Sequence, residues 1–222
     1  MKEPALNSPR SLILAVVLGG VLVIVCYFYV DRPVAWFVHN HRFYSDKILV
    51  WAPRISDWLT YLVIVAIIGV VASWIWRPGG AIRTLLVAIA LNLVATNAIK
   101  SGLKCVFGRT WPETWTDHNP SLIADGVYGF HPFHFSNAYQ SFPSGHAAAA
   151  FALISILWLS YPRWRWIYAI AGGIACFALV GLNFHFVSDV IAGAMLGSTT
   201  GFYATWLFGL LPPACIAPQP RK

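Results

Sequence analysis

The sequence predicts an all-α bundle of six transmembrane helices, and three observations carry that prediction. Hydrophobic residues make up 58% of the 222 residues and charged residues only 10%, against about 25% charged in soluble domains. Six segments approach the roughly 20 apolar residues that a helix needs to cross a bilayer core about 30 Å thick. Turn and loop residues separate these segments in order. Fifteen Lys+Arg against eight Asp+Glu leave a formal net charge of +7. In a soluble protein that excess would point to nucleic acid, but these charges are too few to coat a globule, and no nucleic-acid partner is expected.

The first segment, about 11–30, runs uncharged from Ser11 to Val30. It is longer than the roughly 7–15 apolar residues of a signal peptide, and no small-residue cleavage site precedes Asp31, so a retained anchor is expected. Asp31 to Asp57 reads as a long connection. The second segment, about 59–76, is closed by Arg77-Pro78-Gly79-Gly80, and the third covers about 84–100. A second long connection runs from about Ser101 to Ser144. Tyr161-Pro162-Arg163-Trp164-Arg165 divides the fourth segment, about 145–161, from the fifth, about 166–184, and the sixth covers about 187–211. The chain thus reads as a cytoplasmic segment 1–10, one membrane domain 11–211 and a Pro-rich tail 212–222. Cys26, Cys105, Cys176 and Cys215 are expected to be free thiols that pack as small hydrophobes.

Six spans put the N-terminus, the 2–3 turn, the 4–5 turn and the C-terminus on one side. That side carries Lys2, Arg10, Arg77, Arg83, Arg163, Arg165, Arg221 and Lys222, with Glu3 as its acid. The other side carries Arg32, Arg42, Lys47, Arg54, Lys100, Lys104 and Arg109 beside the remaining acids. Lys100, Lys104 and Arg109 belong to a functional cluster and are set aside. The positive-inside rule then puts both termini in the cytoplasm and the two long loops on the outer, periplasmic side of the cell membrane.

Ionisable groups at membrane depth are costly, and three clusters of them gather on the outer side. Lys100 and Lys104 lie one helical turn apart on one face, and Gly108 can end the helix so that Arg109 turns back to the same space. They read either as snorkelling residues or as an anion site. Phe142-Pro143-Ser144-Gly145-His146 opens an Ala-rich helix, whose first N–H groups and dipole attract an anion; the plainer reading is a helix cap. His185 and Asp189 are four apart, where on a helix the carboxylate can fix the tautomer of the imidazole and raise the basicity of its other nitrogen. Together these groups describe a phosphate site with one attacking and one protonating histidine. The HExxH spacing of a metal site is absent, so neither metal nor cofactor is expected.

These residues resemble the type 2 phosphatidic acid phosphatase (PAP2) family, which includes the vanadium haloperoxidases. Its motifs are Lys-x6-Arg-Pro, Pro-Ser-Gly-His and Ser-Arg-x5-His-x3-Asp, and the similarity covers about 59–210. Pro143-Ser144-Gly145-His146 matches completely, and His185-Phe186-Val187-Ser188-Asp189 matches the end of the third motif. In the first motif Lys104 and Pro112 stand in place, but Trp111 occupies the arginine position. In the third, Ala178-Leu179 replaces Ser-Arg. Losing one preorganised donor can lower a rate by about 10²–10³-fold. Arg109 is a candidate replacement, and Asn183 a weaker one for the position of Leu179.

The resemblance implies a six-helix fold of the PAP2/haloperoxidase type and a metal-independent phosphatase acting on a lipid phosphate or polyprenyl diphosphate. It implies that His185 attacks phosphorus to form a phosphohistidine, that Asp189 orients it and that His146 protonates the leaving group. Lys104, Arg109, Ser144 and Gly145 are then expected to bind the phosphate oxygens. Three rival readings remain at this point: a phosphotransferase of the same family, a non-catalytic relative that has lost the arginines, and an intramembrane serine hydrolase built on Ser144. The loop containing Trp111, Trp115, His118, His131 and His134 reads equally as a lid or as an interfacial aromatic belt.

Overall fold

The uncharged run Leu12–Tyr29 forms the body of helix α1 (Pro9–Tyr29). The computed structural model describes residues 9–41, 61, 64–65, 67–76, 80–115 and 118–211. After α1 come α2 (Asp31–His41), α3 (Ile67–Trp76), α4 (Gly80–Phe107) and the single turn α5 (Leu122–Asp125). Then follow α6 (Gly145–Ser160), α7 (Arg165–Gly181) and α8 (Val187–Leu207), with short 3-10 turns at Asn137–Tyr139 and Pro162–Trp164. Among the described residues there is no β-strand, only isolated bridges such as Arg109 with Phe130 and Trp111 with Ser121.

Among the described residues three helical stretches are long and apolar enough to cross a membrane: Leu12–Tyr29, Gly80–Phe107 and Pro162–Gly181. Ile67–Trp76 and Gly145–Ser160 are apolar but shorter. Large apolar side chains such as Phe28, Trp76, Ile174 and Phe177 project outward from these helices, a surface suited to hydrocarbon rather than water. The tail 212–222 with Cys215, most of segment 1–10, the first long connection from 42 onward with Arg42, Lys47 and Arg54, a few positions of the second expected span and the 2–3 turn at 77–79 lie outside the described residues. Cys26, Cys105 and Cys176 are free thiols.

Two expected connections are shorter than the sequence suggested. The first begins with α2, where Asp31, Ala35 and Val38 form a buried stripe at helical spacing. The second begins only after Phe107, because α4 continues through Ser101 and Gly102 for 28 residues, about 42 Å. Lys100 and Lys104 therefore ride on the last turns of a membrane helix.

The closest helix pair is α6 with α8, and glycine makes it possible. A Cβ on Gly193 would lie 2.3 Å from the Ser144 carbonyl oxygen, and one on Gly197 2.1 Å from that of Ala148. One on Gly201 would meet Ser155 Oγ at 1.8 Å. No side chain fits at these three positions, so the two backbones touch, as small residues allow in membrane helices. Helix α4 is tied to this pair by buried polar contacts. Asn92 Nδ2 donates to the Ala152 carbonyl at 3.1 Å, and the hydroxyls of Thr96 and Thr200 lie 2.8 Å apart. The ends of α4, α6 and α8 that carry the sequence motifs are thereby held at one end of the bundle.

Candidate active site

Helix α4 delivers Lys104 and stops at Gly108, whose φ of +53° lies in the left-handed region. The Gly108 N–H donates to the Lys104 carbonyl at 2.9 Å, and a Cβ here would come within 1.8 Å of the His131 carbonyl oxygen. The chain then folds back and buries Arg109 completely. Its Nη1 donates to Ser188 Oγ at 2.6 Å and to Asp189, and its Nη2 to Asp31 at 2.7 Å and to the Tyr128 hydroxyl at 3.1 Å. Arg109 was expected to meet phosphate, but its terminal nitrogens are taken by two carboxylates. Its Nε has no partner, yet the side chain offers no accessible surface through which phosphate could reach it. Burial disfavours the cation, but Asp189 and Asp31 outweigh it and raise the Arg109 pKa.

Ser144 caps α6: its hydroxyl accepts from the Ala147 N–H at 3.4 Å, and its own N–H donates to the Asp189 carbonyl at 3.0 Å. The N–H of Ser144 is therefore spent on α8 rather than offered to an anion, while its hydroxyl oxygen accepts at the cap. Gly145 is the first residue of α6, a position whose N–H has no intrahelical acceptor. Lys100 lies over it, with Nζ 3.6 Å from where a Gly145 Cβ would sit, while donating to Asn97 Oδ1 at 2.6 Å. His146 follows, half-buried.

His185 sits in the turn between α7 and α8, not on a helix with Asp189. The N–H groups of Phe184 and His185 both donate to the Leu179 carbonyl, and Asn183 turns the chain with φ +54°, a conformation asparagine tolerates. Trp115 Nε1 donates to the Asn183 carbonyl at 3.2 Å, and the Asn183 amide donates to the Ala35 carbonyl at 3.1 Å and to Glu113 at 3.3 Å. Asn183 is thus a brace for the turn, and the position of Leu179 is an apolar pocket shared with Ala147, Phe184 and Val190. Asp189, three residues into α8, accepts from the Phe186 N–H at 3.0 Å. His185 Nδ1 lies 3.6 Å from Asp189 Oδ2, bridged by Ser141 Oγ, which donates to Asp189 at 2.7 Å and lies 3.4 Å from Nδ1.

The His146 and His185 rings meet edge to face, with centroids 6.2 Å apart and an angle of 61° between their planes. Trp111 lies against His185 at 5.3 Å between ring centres, and Lys104 Nζ is 5.8 Å from the centre of the Trp111 ring. Burial holds the His185 imidazole below its ordinary pKa against the opposing pull of Asp189, with Lys104 adding to the depression. His131 and His134 gather with Tyr139 in the outer loop, with Phe133 and Phe135 exposed beside them. Among the described residues no three of His, Cys, Asp and Glu converge as metal ligands. Ser141 and Asp31 lie beside these groups, though no sequence motif gives them a role; Ser188, Trp115 and Asn183 stand out in the sequence for reasons other than the contacts they make. For Asp31 the one available signal was a carboxylate at the end of an uncharged span.

Lys104, the start of α6 and the two imidazoles thus gather at one end of the bundle. Three proteins described as lipid A 1-phosphatases are similar in sequence. Those of Rhizobium johnstonii and Rhizobium etli are each 32% identical, over 112 and 111 residues, or 48% of this chain and 41% and 43% of the relatives. That of Porphyromonas gingivalis is 30% identical over 132 residues, 57% of this chain and 24% of the relative. The chain therefore spans less than half the length of each. A solved structure, the transmembrane PAP2-type phosphatidylglycerolphosphate phosphatase of Bacillus subtilis, superposes with a TM-score of 0.55 at 17% identity, covering 92% of this chain and 98% of that one. This likeness is one of fold. Residues 82–211 match the profile of the PAP2 superfamily, more than half of the chain, and with it the helices that carry Lys104, His146 and the His185–Asp189 pair. This chain belongs to the PAP2 superfamily.

Proposed function

We propose that this protein is a six-span membrane phosphatase that removes phosphate from a phosphorylated glycolipid at the outer face of the membrane. The observation that carries this reading is the pair of neighbouring imidazoles, His146 and His185, with Asp189 and Ser141 on the Nδ1 side of His185. That side is occupied, so Nε2 is the nucleophilic nitrogen. Its lone pair attacks phosphorus, the bond to the lipid oxygen breaks, and His146 gives that oxygen a proton. Water, losing its proton to His146, then attacks the phosphohistidine, and the products are the dephosphorylated lipid and inorganic phosphate. Lys104 and the Gly145 N–H hold the phosphate oxygens, and Arg109 serves behind Asp189 rather than on the substrate. The similarity to lipid A 1-phosphatases supports a phosphorylated glycolipid as the substrate. The charge distribution supports cytoplasmic termini.

Phosphate release from a panel of phosphorylated glycolipid, phosphatidate, phosphatidylglycerophosphate and undecaprenyl diphosphate, measured in detergent, tests this reading. The glycolipid is expected to be the best substrate. EDTA is expected to leave the rate unchanged and orthovanadate to inhibit it. A rate abolished by EDTA overturns the metal-free mechanism, and no release from any lipid overturns the phosphatase.

The depressed pKa of His185 sets a pH dependence. The attacking imidazole must be neutral, and burial keeps it so below its ordinary value of 6.5. The acid limb of kcat/KM is therefore expected below pH 6.5. For stability, the unfolded chain takes up a proton at this histidine at higher pH than the folded one. Its contribution is complete above the unfolded value and is lost as pH falls toward the folded one. An acid limb at or above the ordinary histidine range would contradict the buried, neutral His185.

A further inference from the structure

Asp31 lies outside the stretch that matches the superfamily profile, at the start of α2, and is 1% exposed. Its Oδ1 accepts the Ser188 N–H at 3.0 Å, and its Oδ2 accepts from the Ser188 hydroxyl, Arg109 Nη2 and the Tyr128 hydroxyl. Arg109 gives its other terminal nitrogen to Asp189. Two carboxylates thus share one guanidinium, and the side chains of all three are solvent-inaccessible. Burying two negative charges against one positive charge is expensive. A plain ion pair between Arg109 and Asp189 would fold at less cost and would cancel itself. Adding Asp31 leaves the cluster with a surplus of one negative charge. Beside that surplus lies His185, the ring that turns cationic as its nitrogen bonds phosphorus.

We propose that Asp31 is a positioning residue of the reaction, supplying the second negative charge that stops Arg109 from neutralising Asp189, so that net negative charge backs His185 as it becomes cationic. This rests on the phosphatase reading above. The other groups that act on His185 are Lys104 from α4 and His146 from α6, with uncharged Trp111 on its ring and Ser141 at Nδ1. Lys104 opposes the cation. Asp31 and Asp189 are the carboxylates of the cluster behind it, and Asp31 reaches it only through Arg109 and Ser188.

Substitutions separate this charge from mere bracing. Asp31→Asn keeps oxygen for the Ser188 N–H and lowers the cluster from a surplus of one negative charge to none. Arg109→Gln raises the surplus to two, and the double variant restores it to one. The measurement is the pH titration of His185 in the full chain, labelled with 15N-histidine in detergent and assigned by its loss in His185→Gln. The midpoint is expected to move down in Asp31→Asn, up in Arg109→Gln and back toward wild type in the double variant. Ser188→Ala, which removes hydrogen bonds but no charge, should leave it unmoved. Coincident midpoints, or a double variant displaced further than either single one, overturn the proposal. If Asp31→Asn does not fold, an unmoved or lowered midpoint in Arg109→Gln overturns it alone. In activity, Asp31→Asn is expected to lower kcat about 10- to 100-fold with KM within about twofold of wild type, and Asp31→Glu to recover part of it. If the wild type releases no phosphate from any lipid, the phosphatase reading fails, while the titration still decides the role of Asp31.

Discussion

Replacing His185 with alanine is expected to lower phosphate release by about 10⁴-fold or more, while the protein still extracts and elutes as wild type does. The size follows from the proposed role: a nucleophile that forms a covalent intermediate has no substitute, and removing one member of such a unit disables the whole. The fold is expected to survive because the turn is held by backbone and neighbours, through the Leu179 carbonyl, Trp115 and Asn183. Protein denatured in alkaline detergent, where a phosphohistidine survives, from a reaction with 32P-labelled lipid should carry label in wild type and none in His185→Ala. His146→Ala is the informative companion, since it removes the proton donor and not the nucleophile. With an activated ester such as p-nitrophenyl phosphate, whose leaving group needs no proton, it should retain far more activity than His185→Ala. Equal loss in the two variants on that ester would contradict the division of roles.

Gly197→Leu is expected to be the most damaging substitution far from the reacting groups. A Cβ at this position would lie 2.1 Å from the Ala148 carbonyl oxygen and 2.6 Å from the Ala152 nitrogen. Backbone cannot move aside as a side-chain tip can. Overpacking commonly costs about 1–3 kcal/mol, and here α6 and α8 must separate, so the expected cost lies at the top of that range or above it, at least about 3 kcal/mol. Because α6 carries His146 and α8 carries Asp189, activity should fall before the fold is lost. Gly173→Leu on α7, where nothing lies within 4 Å of the added carbon, is the matched control and should be close to neutral. Thermal unfolding in detergent, followed beside phosphate release, compares the two. Similar midpoints for both variants would refute the close-packed α6–α8 contact.

The parts legible in the sequence were those whose causes are local. Pro143-Ser144-Gly145-His146 announced a capped helix start, and Ser144 does cap α6. Gly108 announced the end of α4 and supplies the left-handed turn there. Long apolar runs announced α1, α4 and α7 as helices that can span a membrane. What escaped depends on partners far along the chain. Arg109 read as a phosphate ligand because its neighbour in sequence is Lys104, whereas its destination is set by Ser188, 79 residues away, and by Asp31. Asp31 meets Ser188 across 157 residues, and no periodicity encodes such a pair. Helix α2 escaped because it is short, with polar His39, Asn40 and His41 following its buried stripe. The His185–Asp189 spacing was read as one helical turn. The two side chains do approach, but Asn183 in a left-handed conformation puts His185 ahead of the helix.

The hydrogen bond from the Ser144 N–H to the Asp189 carbonyl, 3.0 Å long, ties the start of α6, next to His146, to the start of α8, next to the turn that holds His185. With Gly193 seated against Ser144 just below it, the start of α6 and the start of α8 form a welded corner. Strain arriving from the bilayer through α1, α4 or α7 must bend those helices around this corner before it can change the gap between the two imidazoles. Membrane thickness, acyl-chain length and lateral pressure are therefore expected to alter how readily a lipid enters and leaves, and to leave the tuning of the phosphorus chemistry largely untouched.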